Sequence, residues 1–197
     1  NNLLADGEID EQDFLDRAEI LCSLGQTVLI SNYQEYFKLV DYFARYSSKR
    51  MGLIMGVPNL VEVFNEKYYR TLTGGVLEAF GRLFSKDIKI YVYPFKPSAN
   101  EAIKTLDDIK VHPRIRPFFD YLVYNGRVVN IKDFDATVLQ IFSREVLNRI
   151  RCNDEGWEEC LPAYVDNIII EKKLFGYDSM TKADLVDSDD PLRRLTI

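Results

Sequence analysis

Residues 51–75 read MGLIMGVPNLVEVFNEKYYRTLTGG, and the fold turns on how the apolar run at their head is taken. GLIMGV, residues 52–57, is short and does not alternate with polar positions, the pattern of a strand covered on both faces in a parallel sheet. Pro58 follows at once, where its missing N–H costs nothing at a helix start, and PNLVEVFNEKYY continues with helical spacing. A strand that runs through a Gly-Val-Pro-Asn turn into a helix is half of a parallel crossover unit.

The same alternation recurs on both sides. Upstream, QTVLISN (26–32) reads as a strand between two helices. The first runs from about Asp10 to Leu24 and ends at Gly25; the second carries Tyr36, Phe37, Leu39, Val40 and Phe43 on its stripe, with Asn32 available as N-cap. Downstream, GGVLEAFGRLFSK is a further helix, and IKIYVYPF (88–95) is a strand closed by Pro94 and Pro97. A short helix capped by Ser98 is expected next, then a helix from Pro113 to about Tyr124 and RVVNI (127–131) as a fourth strand. Asn125-Gly126 also suits a type I′ hairpin turn, but Ile115, Phe118, Phe119 and Leu122 have helical spacing, which favours a helix with Gly126 past its end. DATVLQIFSREVLNRIRC and LPAYVDNIIIEKKLFGY are amphipathic helices, the second stopped by Gly176.

These readings predict an α/β fold in three layers: a mostly parallel sheet of about four strands flanked by helices, with a helical carboxyl-terminal portion. Residues 1–177 are expected to form one α/β domain, mainly helical from residue 96, and residues 178–197 a tail or docking arm.

Composition narrows the function classes. The 197 residues are 47% apolar, enough for a substantial core, and 25 basic against 31 acidic residues are spread along the chain. A net charge of -6 without basic blocks speaks against nucleic acid and anionic membrane surfaces as partners. No apolar run approaches the ~20 residues that span a bilayer, so no membrane partner is expected. Cys22, Cys152 and Cys160 are odd in number and lack C-x-x-C spacing, which suits reduced thiols and a cytoplasmic location. The chain begins at Asn1 without a methionine, so a missing amino-terminal domain is expected as a further partner.

Residue types exclude the common catalytic signatures: there is no G-x-G-x-x-G after a strand, no G-x-x-x-x-G-K-[ST], no G-x-S-x-G and no H-E-x-x-H. His112 is the single histidine, which removes two-histidine mechanisms and histidine-rich metal sites. Asp107-Asp108, Glu158-Glu159 and Asp189-Asp190 are adjacent in sequence and point apart on most backbones. No catalytic residue, metal or cofactor is assigned.

A ligand site is therefore argued from position. In open parallel sheets ligands bind beyond the carboxyl ends of the strands. Ser31-Asn32-Tyr33, Gly56-Val57-Pro58-Asn59 and Tyr93-Pro94-Phe95-Lys96 should converge on that edge. Thr73-Gly74-Gly75 opens the next helix and reads either as an anion cradle, with Lys67, Arg70 and Arg82 nearby, or as a turn demanded by sterics. The candidate ligand-binding set is thus Asn32, Tyr33, Gly56, Asn59, Thr73, Gly74, Gly75 and Lys96.

TVLISNYQEYFKLVDYFARYSSKRMGLIMGVPNLVEVFNEKYY, LTGGVLEAFGRLFSKDIKIYVYPF and WEECLPAYVDNIIIEKKLFGY resemble the carboxyl-terminal portion of larger bacterial proteins, variously named TonB-dependent receptor or nicotinamide-nucleotide adenylyltransferase. The resemblance covers most of the chain up to Tyr177 and transfers no functional motif. A receptor of that kind is a barrel of many alternating strands, which are absent here. The nucleotidyltransferase requires H-x-G-H, and His112 stands without it, so such an activity would belong to a preceding portion.

Two functions are expected from these readings. One is a small-molecule site for a nucleotide or other phosphorylated compound at the carboxyl edge; the other is a non-catalytic interaction domain that forms a homodimer through its aromatic helices and the LRRLTI tail.

Overall fold

The structure is a computed structural model and describes residues 10–33, 35–98 and 100–178. Its helices are α1 (Glu11–Ser23), α2 (Tyr36–Phe43), α3 (Val57–Val63), α4 (Gly75–Leu83), α5 (Arg116–Tyr124), α6 (Ser143–Cys152) and α7 (Val165–Lys172). Its strands are β1 (Met51–Gly56), β2 (Ile88–Tyr93) and β3 (Val128–Asn130). The chain divides into two compact units: one is Ser31–Gln140, and the other joins residues up to Ile30 with those from Ile141 onward. The sequence expectation differs, with one domain reaching residue 177 and a helical half beginning at residue 96.

In Ser31–Gln140 the three strands form a parallel sheet in the order β1-β2-β3, as the crossover pattern predicts. The first expected strand, at residues 26–32, does not form: residues 26–33 carry no strand, and Leu29 and Ile30 are 51% and 58% exposed. Val, Leu and Ile favour extended backbone, but a strand exists only where a neighbour accepts its N–H groups. The register aligns Leu53 with Ile90, Met55 with Val92 and Ile90 with Val128, so these residues share one face. Ile88, Ile90 and Val92 have no exposed surface, and α2, α3, α4 and α5 add Val40, Leu60, Phe80 and Phe119 to the same core. Losing one such side chain, as in Ile90→Ala, costs about 2–5 kcal/mol.

The opposite face, with Ile54, Tyr91 and Val129 in register, is only partly covered: Ile54 is 73% and Tyr91 37% exposed, and Val129 is half-buried. The third layer of the sequence expectation is thus not found over this sheet. The reason is topological. When strand order follows chain order, right-handed crossovers place every connecting helix on one side. A reversal of strand order would carry helices to the other side, and the described strands show none.

Several boundaries differ in detail. Glu35, not Asn32, is the N-cap residue of α2, and it makes no side-chain cap bond. Among the described residues, no helix follows Ser98 before a 3-10 turn at Leu106–Asp108; Phe95 and Lys104 pair as an antiparallel bridge, and Thr105 and Asp108 form a capping box around that turn. The helix expected over residues 135–152 is broken into a 3-10 turn, Ala136–Gln140, and α6. The helix expected over residues 161–177 is confined to α7 by left-handed Tyr164 and Lys173 at its two ends. Gly126, at φ 64°, does lie past the end of α5.

The second unit packs Val146 and Ile150 of α6 with Trp157, Val165, Ile169, Leu174 and Phe175. Asp16 of α1, 3% exposed, accepts a hydrogen bond from the Phe175 backbone N–H at 2.5 Å and another from the Gln12 amide at 2.7 Å. Phe175 holds a left-handed φ of 60° although it is not glycine, and its carbonyl accepts from Arg151 at 3.3 Å. An unusual backbone conformation of this kind persists where both peptide groups are held.

Two predictions follow from this packing. Asp16→Ala leaves a buried N–H unsatisfied and should lower stability by about 1–3 kcal/mol in urea unfolding, while Asp16→Asn, which keeps an acceptor, should lower it less. Tyr69 donates to the Val63 carbonyl at 2.7 Å, and burial, reinforced by Glu35 and the neighbouring Tyr68 and Tyr36, pushes its phenol up to about 12. Because the folded value lies above the ordinary 10.0, this contribution is whole below pH 10 and is lost as pH rises toward 12. Stability measured by denaturant titration should fall across that window, and Tyr69→Phe should flatten the fall.

Candidate functional site

The carboxyl edge of the sheet is where the sequence places a ligand, and two of the three expected turns meet there. Gly56 and Tyr93 are register partners at the ends of β1 and β2, so Gly56-Val57-Pro58-Asn59 and Tyr93-Pro94-Phe95-Lys96 leave the sheet side by side. Gly56 is the N-cap of α3, Asn59 is exposed in its first turn, and Lys96 is half-buried. Asn32 and Tyr33 lie on no strand; both are exposed, and the Tyr33 ring stands 5.9 Å from Tyr42.

The chain itself crosses part of this edge. Backbone bonds of 2.9 and 2.7 Å join Phe95 and Lys104, and the Leu106 N–H donates at 2.9 Å to the side chain of Asn130, the last residue of β3. The loop between β2 and α5 therefore returns across the strand ends, and its Leu106 and Ile109 are buried in the sheet's core. Asn130 was not among the sequence candidates. Its place at the end of the fourth expected strand was the signal that could have found it.

Thr73-Gly74-Gly75 is a turn built by sterics. Gly75 has φ 55°, and a Cβ on Gly74 would stand 2.9 Å from Cβ of Glu78. The Gly74 N–H donates to the Glu78 carboxylate at 3.0 Å, so the anion at this helix start is the helix's own side chain. Of the cations expected to serve the cradle, Lys67 is engaged elsewhere, while Arg82 lies 3.9 Å from Glu78, whose carboxylate accepts from the Gly74 N–H. Arg82 pairs with Asp41 and lies 4.6 Å over the Phe37 ring, and Lys67 pairs with Glu62 at 3.0 Å. Gly75→Ala should cost roughly 1–2 kcal/mol through its positive φ. Inorganic phosphate should leave the melting temperature of the unmodified protein unchanged, and thermal unfolding with and without phosphate checks both outcomes.

The opposite, amino edge holds features that motif searching misses. Arg50, Asp87 and Arg127 each immediately precede a strand; parallel register sets Arg50 level with Asp87, and Arg127 level with Lys89. Asp87 lies 2.6 Å from Arg50 and 4.0 Å from Arg127. These charges are exposed, so the cluster orders the edge but contributes little to stability. Beside it, a groove of about 520 Å³ is walled by Phe80, Phe84, Phe118 and Tyr121, with Asp87 and Arg127 among its polar lining. Helices α4 and α5 both end near it, at Phe84 and Asn125, so the nearby backbone presents carbonyl groups. His112 is exposed, and its Nδ1 accepts from the Arg114 N–H at 3.3 Å. Among the described residues, no three His, Cys, Asp or Glu side chains group as metal ligands would.

Comparison with known proteins found no matching family model, no curated relative and no solved structure of similar fold. No helix among the described residues is long and apolar enough to cross a membrane.

Proposed function

We propose that the chain is a non-catalytic interaction domain that pairs with a second copy of itself through the edge strand β1 of its sheet. One observation carries this reading: Ile54 is 73% exposed in the middle of an apolar parallel strand. Parallel sheets are ordinarily covered on both faces. Edge strands are ordinarily protected by charge, proline or a bulge, yet MGLIMG has no charged residue and no proline.

The sequence of β1 suits twofold pairing. With an antiparallel neighbour centred on Ile54, Gly52 faces Gly56 of the second copy, Leu53 faces Met55, and Ile54 faces Ile54. That register keeps the helices of both copies on one side and joins the two partly covered faces into one surface. Unpaired Cys22, Cys152 and Cys160 support placing such an assembly in the reducing cytoplasm.

In sedimentation or light scattering across a concentration series, the protein should form a dimer, and Ile54→Lys, which sets two like charges opposite each other, should give a folded monomer. Ile54→Cys should cross-link to Ile54→Cys of the second copy under mild oxidation. A monomer at all concentrations would remove this reading.

A second reading, small-molecule binding, draws support from the α4–α5 groove, whose volume of about 520 Å³ is ligand-sized. Its aromatic walls and nearby helix carboxyl ends suit a flat neutral or cationic compound better than a nucleotide phosphate. A thermal-shift screen of aromatic compounds should give hits that Gly81→Leu abolishes, since space is open beside Gly81 in the groove wall.

A further inference from the structure

The unit formed by the two ends of the chain carries an apolar groove of about 430 Å³, separate from the features used above. Leu21, Leu24, Ile141, Leu147 and Leu161 line it together with Cys160. Three of these walls stand in the open, Leu21 at 44%, Leu24 at 40% and Ile141 at 39% exposure. A cleft flanked by several exposed branched side chains is a surface that another apolar segment covers.

Three observations indicate which segment. First, the described chain ends at Asp178, only three positions beyond Phe175, which itself lines the groove. The thirteen residues from there to Pro191 can span up to about 40 Å when extended, so the following stretch can reach any part of the groove. Second, that stretch, DDPLRRLTI (189–197), is patterned for docking. Asp190-Pro191 is a helix-start signal, Leu192 and Leu195 are spaced to share one face, and Arg193 and Arg194 fall between them. Third, charge is complementary. The described residues of this unit carry thirteen acidic and six basic side chains, and exposed Glu145, Glu158 and Glu159 are sequence neighbours of the lining residues Val146 and Cys160.

The geometry points to this groove as the docking site of the chain's own segment 190–197, with Leu192 and Leu195 seated among Leu21, Leu24 and Ile141. The arginines between them meet a unit whose described residues carry more acidic than basic side chains.

Cys160 lets the full-length chain report on this. In a Cys22→Ser, Cys152→Ser background, Leu195→Cys places a second thiol on the tail, and a short bis-maleimide or mild oxidation should join it to Cys160 within one chain. Peptide mapping should show the linked pair at a yield independent of protein concentration. Leu192→Asp in that background should lower the yield about tenfold or more. Without any added cysteine, trypsin should cut after Arg194 more slowly than after Lys182, and Leu192→Asp should remove the difference, with circular dichroism showing that the fold is kept. A link between two chains would overturn the proposal by making a second copy the occupant. Absence of the link together with equal cleavage at both sites would overturn it by leaving the tail undocked.

Discussion

Ile88, Ile90 and Val92 occupy alternate positions of the central strand, and none of them reaches solvent. The rest of Ser31–Gln140 depends on that row being covered. Beside it run Met55 and Val128 on the neighbouring strands, and over it lie Leu60, Val63, Phe80, Leu83, Phe119 and Leu122 from three helices. Aromatic rings fill the space between helices: Phe64 stands 4.7 Å from Phe80 and 5.1 Å from Phe119. Covering one row from one side is enough to hold a short sheet, and the topology then leaves Ile54 and Tyr91 exposed. The partly covered face and the buried row are two results of a single arrangement, a sheet wound in one direction only.

The other unit relies on a different kind of constraint. Its apolar core is small, and its chain ends are tied by polar contacts to backbone: Asp16 holds the Phe175 N–H, and Arg151 holds the Phe175 carbonyl while also reaching Asp10 at 3.1 Å. Lys172 pairs with Glu19 across the same helices. Buried Asp16 has no cation on its carboxylate among these bonds, so amide donors alone compensate its burial. Such bonds fix direction closely and add little apolar area. The neighbouring groove is left wide, with leucines standing at its rim.

How much of the candidate site was legible in the sequence depends on what each residue answers to. Gly56, Pro58 and Asn59 are where the pattern put them, at a strand-to-helix turn, because glycine, proline and the end of an apolar run act over a few residues. Gly75 was legible as a turn glycine for the same reason, and its φ of 55° needs no distant partner. The role of Gly74 was not legible, since it is decided by a carboxylate one helical turn away that could have pointed to solvent. Asn130 and Leu106 are 24 positions apart, and only the return of the 95–109 loop brings them together. Asn32 and Tyr33 lie on no strand, since pairing depends on a neighbour rather than on local preference.

The order of local elements follows from the chain alone: apolar runs at 52–57, 88–95 and 127–131, with amphipathic helices between them, state a parallel sheet through periodicity and turn chemistry. Those signals act between residues a few positions apart, so they survive without knowledge of the whole. The number of layers, the division at residues 30/31 and 140/141, the crossing of the carboxyl edge and the charge cluster at the amino edge were decided by tertiary structure. Each depends on which surfaces meet. A run such as TVLI carries the same preference for extended backbone whether or not another strand lies beside it, and only its placement determines whether its N–H and C=O groups find partners.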